Sequence, residues 1–76
     1  MIAEEGLLDV RKLEPPEPLE RVLEALCKMD SRQHIRMLID RYPHLLYPIL
    51  ARDGYSHETR CTETGDYEIL IWHLKD

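Results

Sequence analysis

Apolar and polar residues alternate along this chain in segments of distinct period. Leu7, Leu8 and Val10, with Asp9 between them and Arg11 after, predict a first strand over about residues 7–11. Leu19, Val22, Leu23, Leu26 and Cys27 fall at i, i+3, i+4, i+7 and i+8, one face of a helix over about 16–29. Glu20, Arg21, Glu24 and Lys28 occupy its other face, with Glu24 and Lys28 in the favourable i, i+4 order. The stripe makes Cys27 a core thiol. Ile35, Met37 and Ile39 alternate with Arg36 and Leu38, so a second strand is expected at 34–40. Pro43 and Pro48 follow. A proline inside a helix costs about 3 kcal/mol but is tolerated at its start. A turn at 43–46 and a short helix at about 47–53 satisfy both, with Gly54 as the stop. Tyr55 to Cys61 is a polar alternating run, "TETG" is a turn, and Tyr67 to Leu74 is the most apolar strand. The last two strands form an antiparallel hairpin.

The element order is therefore β-α-β-α-β-β. A strand–helix–strand unit is normally parallel. "YEILIWHL" is apolar on both faces for most of its length and suits a central position. "YSHETRC" is polar and suits an edge. The expected fold is an α+β two-layer sandwich, a four-stranded mixed sheet in the order 1-2-4-3 with both helices on one face. The other face is partly open.

Composition narrows the setting. Seventy-six residues make one domain, with a core over about 7–74 and a flexible start at 1–6. So short a chain buries only about 60–65% of its unfolded surface, so it is marginal alone and dimerisation would help it. A monomer or weak homodimer is expected. With 43% hydrophobic and 33% charged residues the chain is globular. No apolar run approaches the roughly 20 residues that span a bilayer. "MIAEEGLLDV" lacks a basic start and a long apolar stretch, so it is not a signal peptide, and the expected compartment is the cytoplasm. A net charge of −5, with no basic cluster, argues against nucleic acid. Two cysteines are too few for a disulfide scaffold or a Cys-only zinc site.

"LDVRKLEPPEPLERVLEAL", then "LIDRYPHLLYPILARDGY" and a closing "YEILIW", resemble a TusA-related bacterial family of domains of unknown function (DUF2249). The resemblance covers about residues 7–74. That family is similar to the TusA/SirA-like sulfur carriers, which implies the same two-layer sandwich. The carriers hold a Cys-Pro-x-Pro motif after the first strand, and its cysteine carries a persulfide. A helix N-terminus favours thiolate there, and the prolines start the helix. The matching positions here are Pro15, Pro16, Glu17 and Pro18, with Pro15 in place of the cysteine. Proline has no nucleophile, so sulfur relay cannot run from this position.

What remains is a set of candidates. Ligands of open α/β sheets favour the carboxyl ends of parallel strands. That edge gathers Arg11, Glu14, Pro15, Pro16, Glu17 and Pro18 from the first connection, and Asp40, Arg41 and His44 from the second. Arg11, Arg41 and His44 could alternatively make a weak metal or anion site. The competing reading is structural: Asp40 and Arg41 as turn or ion-pair residues, and Glu14 and Glu17 as ordinary first-turn carboxylates. A helix N-terminus would lower the pKa values of those glutamates, which does not suit acid/base work. Leu38, Leu70 and Trp72 lie on the face opposite to Ile35, Met37 and Ile39. They form either an exposed partner or dimer surface, or a patch shielded by the N-terminal residues and arginine stems such as that of Arg36. Cys61, beside a turn, is the alternative redox or sulfur-handling residue. His34, His44, His57 and His73 show no metal-binding spacing, and His57 and Cys61 stand roughly 13 Å apart on a strand at about 3.3 Å per residue. No cofactor and no resident metal are expected. There is no phosphate loop and no nucleophile elbow. The best reading is a small non-enzymatic binding module with a protein partner.

Overall fold

The computed structural model describes residues 5–30 and 32–74. Six elements follow one another: β1 (Glu5–Asp9), α1 (Glu17–Lys28), β2 (His34–Ile39), α2 (Leu46–Arg52), β3 (Tyr55–Cys61) and β4 (Tyr67–His73). The sheet order is β1-β2-β4-β3, with β1 parallel to β2 and both pairings of β4 antiparallel. This is the 1-2-4-3 arrangement expected from the sequence. No helix among the described residues is long and apolar enough to cross a membrane.

The period-2 pattern fixes which face is buried. Ile35, Met37 and Ile39 of β2 stand beside Ile71, Ile69 and Tyr67 of β4. All three β2 residues are buried, as are Ile69 and Ile71. Val22 and Leu26 of α1 and Leu46 and Leu50 of α2 cover them. A one-residue slip of β2 would put Arg36 into this layer, so burial pins the register. β4 is central, as its apolar content demands. β3 lies at the edge with a mostly exposed surface.

Two boundaries and one burial differ from the sequence reading. β1 runs over Glu5–Asp9 rather than 7–11, so residues 5 and 6 are strand and not a flexible start; residues 1–4 lie outside the described residues. Asp9 ends the strand: its Oδ1 accepts the backbone N–H and the Nε–H of Arg11, at 3.1 and 2.9 Å. Lys12 then turns the chain with φ of 69°. α2 begins at Leu46, which places Pro48 in its first turn, where N–H groups have no partner within the helix and proline loses nothing. Cys27 is exposed, not a core thiol. The sheet meets only the strip of α1 that carries Val22 and Leu26, and Cys27 falls beyond its rim.

The second sheet face is mixed. Cross-strand neighbours there are Leu7 and Arg36, Arg36 and Leu70, Leu38 and Glu68, and His34 and Trp72. Leu38, Leu70 and Trp72 are half-buried. The Trp72 ring centroid lies 6.2 Å from that of His34. Arg36 Nε stands 3.5 Å from Glu68 Oε2. Shielding of this face by residues 1–4 lies outside the described residues.

Candidate functional site

The Pro-rich connection and the β2–α2 connection face each other at the carboxyl ends of β1 and β2. Local hydrogen bonds shape each. In the first, Glu17 N–H donates to Glu14 O at 2.9 Å and Glu20 N–H to Pro16 O at 3.1 Å, which opens α1. The peptide between Pro15 and Pro16 is cis. In the second, His44 N–H donates to Tyr42 O and Leu46 N–H to Pro43 O, both at 3.0 Å. Asp40 ties the two together: its Oδ2 accepts the Lys12 backbone N–H at 3.0 Å.

Between them opens a cleft of about 260 Å³. Leu13, Pro15, Pro16, Pro18 and Leu19 form one wall, and Tyr42, Pro43 and Leu45 the other. Val22, Met37, Ile39 and Leu46 form the floor, and all four are buried. Asp40, Arg41 and His44 complete the mouth. The lining is overwhelmingly apolar, with polar groups confined to one side. Apolar walls with a few placed polar groups are what small binding sites are made of.

Six of the nine edge residues singled out from sequence line this cleft: Pro15, Pro16, Pro18, Asp40, Arg41 and His44. Glu14 and Glu17 sit on the same loop but do not line it. Glu17 pairs with Arg21 at 3.1 Å, an i, i+4 contact on the helix surface. Arg11 goes elsewhere. It bonds Asp9 at 2.7 Å and Asp66 at 3.3 Å, in a separate polar hollow with Lys12. The Arg11 guanidinium holds the Asp9 carboxyl down at about 2. Arg11 is thus a strand-end clamp, and it does not join Arg41 and His44 in one anion site. Among the described residues no three His, Cys, Asp or Glu side chains converge.

The cleft shares Tyr42 with a cluster of rings. The Tyr42 centroid lies 4.7 Å from His44, 5.2 Å from Tyr47 and 5.5 Å from Tyr67. Tyr47 packs on His57 at 4.5 Å and shares a 2.7 Å hydrogen bond with the Thr59 hydroxyl. Burial pushes the Tyr47 phenol above its usual pKa. This aromatic buttress holds the β2–α2 connection against the sheet. Sequence reasoning missed it, and missed Leu13, Leu19, Tyr42, Leu45 and Leu46 as cleft walls. The available signal was the apolar residues flanking each proline group.

The family model for "Uncharacterized conserved protein (DUF2249)" matches residues 7–73. The chain belongs to the DUF2249 family. Among solved structures, this DUF2249 protein is similar to a SirA-like protein from Desulfitobacterium hafniense, at a TM-score of 0.79 and 21% identity. The likeness covers 91% of this chain and 97% of that one. It establishes a SirA-like fold. Comparison with curated proteins finds no match. The thiols of this DUF2249 protein lie apart from the cleft. Neither Cys27 nor Cys61 lines it, and both are exposed. Cys61 Sγ donates to the Thr62 carbonyl oxygen at 3.7 Å.

Proposed function

We propose that this DUF2249 protein is a non-enzymatic binding module on a sulfur-carrier-like scaffold, and that its site is the apolar cleft. The observation that carries the reading is the cleft itself. It lies where two connections leave the parallel strands, and Pro15 lines it at the position where the resemblance would put a reactive cysteine. The wall supplies shape and apolar surface, with no thiol. Asp40, Arg41 and His44 stand to one side, where they can orient a ligand that the apolar walls hold.

The open sheet face is the weaker candidate, because Arg36 and Glu68 stand among its half-buried apolar residues. A titration of the labelled protein with phenol, followed by amide shifts, separates the two. The reading expects localised shifts at Leu19, Val22 and residues 40–46. Shifts centred on Leu38, Leu70 and Trp72, or scattered over the surface, overturn it.

A further inference from the structure

We propose that a second copy of this chain pairs with the free edge of β1, antiparallel about a two-fold axis at Leu7, so that two four-stranded sheets join into one. The proposal concerns self-association and leaves the cleft free: the hollow beside this edge shares no lining residue with the cleft.

Three observations support it. The first is hydrogen bonding. β1 has a neighbour on one side only, β2. Val10 N–H donates to Leu38 O at 2.9 Å. Backbone groups alternate in direction along a strand, so Gly6 and Leu8 also turn theirs toward β2, and Leu7 turns its N–H and C=O outward. Among the described residues these two groups have no partner. Such an edge is a template for another strand. Charged side chains guard an edge, and β3 carries Glu58 and Arg60 in its middle. Gly6, Leu7 and Leu8 carry no charge.

The second is shape. Pairing about Leu7 makes Leu7 and its symmetry mate a hydrogen-bonded pair. It also sets Gly6 of each copy against Leu8 of the other as a close pair, with Cα atoms about 4.5 Å apart. Gly6 and Leu8 both lie on the helix side, beside Ile35 and Met37. A Cβ at Gly6 would meet nothing within 4 Å. A hollow of about 280 Å³ opens there, with Ala25 and Met29 of the α1 side among its walls. The glycine of one copy leaves the room that the leucine of the other fills, and the two-fold axis repeats the fit.

The third is the exposed leucine. Leu7 is 67% exposed on the other face of the sheet, where the pairing lays it against its symmetry mate. Apolar cross-strand pairs of this kind stabilise a ladder. At the ends of the ladder Glu5 falls opposite Asp9, whose charge Arg11 already holds at 2.7 Å. A chain this short has most to gain from surface buried against a second copy.

The test uses the full chain in sedimentation equilibrium up to millimolar concentration, with isotope-filtered NOEs on a mixture of labelled and unlabelled copies. The expected result is a monomer–dimer equilibrium with a cross-peak between copies from Gly6 Hα to Leu8 Hα. Gly6→Val fills the space that Leu8 of the other copy needs, and should weaken the dimer at least about 10-fold. Leu7→Lys sets like charges face to face at the axis and should weaken it about 5-fold. Urea midpoints at low concentration show that each variant still folds, and either folded variant carries the test alone. A monomer throughout, a dimer whose cross-peaks come from the cleft or the open sheet face, or a dimer that a folded variant leaves unchanged overturns the proposal.

Discussion

Leu46 and Leu50 lie one turn apart on α2, and both are buried, at 1% and 0% exposure. They differ in one respect: Leu46 lines the cleft and Leu50 does not. Truncating either to alanine removes three buried carbons, a transfer loss of about 2.4 kcal/mol at ~0.8 kcal/mol each. At Leu50 the space left behind is enclosed. A residual cavity of about 80 Å³ there adds about 2 kcal/mol at ~24 cal/mol per Å³. At Leu46 the space opens into a cleft that already exists, so most of that second cost is absent. Leu50→Ala should therefore cost about 4 kcal/mol and Leu46→Ala about 2.5. Leu45→Ala, at a 73% exposed position, should stay within about 0.5 kcal/mol. Urea unfolding with a common m value measures all three. A domain of this size holds roughly 4–11 kcal/mol in total, so sucrose in every sample keeps the weakest variant folded. Equal costs at Leu46 and Leu50 would mean that the cleft is closed in solution, which refutes the reasoning.

Other consequences are open to direct measurement. Asp9 has its folded pKa lowered from 3.8 to about 2 by Arg11; its contribution is present above about pH 4 and lost as pH falls toward 2. Asp9→Asn should flatten the acid limb of the stability curve in that window, and an unchanged limb would remove Arg11's clamp role. Tyr47→Phe loses the bond to Thr59 and should cost about 1 kcal/mol, with coupling seen in the double variant with Thr59→Val; additive effects would contradict the 2.7 Å contact. Cys27 and Cys61 are both exposed, so both should alkylate in the native protein at comparable rates. Protection of Cys27 until unfolding would restore the core position that its helical spacing had implied.

The residues that fix the fold announce themselves. The alternation of "HIRMLI", the all-apolar "ILIW" and the polar "YSHETRC" place β2, β4 and β3 without any knowledge of the third dimension. Local chemistry that depends on partners is harder to read. The end of β1 turns on Asp9 gripping the amide and guanidinium of Arg11, a contact no periodicity encodes. Cys27 satisfies the helical stripe but lies outside the strip that meets the sheet, because the width of that contact is a tertiary property. The site was half legible for the same reason. Prolines and the charged Asp40–Arg41 pair mark where connections leave the parallel strands, and sequence logic found them. Leu13, Leu19, Tyr42 and Leu45 become one surface only when two connections distant in sequence close on each other. Arg11 looked like a member of the same edge until the strand ended two residues earlier and gave it Asp9 and Asp66 as partners.

The central claim is that the cleft beside Pro15, and not the open sheet face or a thiol, is where this protein binds. Intermolecular NOEs from the ring protons of bound phenol test it most directly. The account predicts cross-peaks to the methyl groups of Leu19, Val22 and Leu46; cross-peaks to Leu38, Leu70 and the Trp72 ring, with none in the cleft, would contradict it.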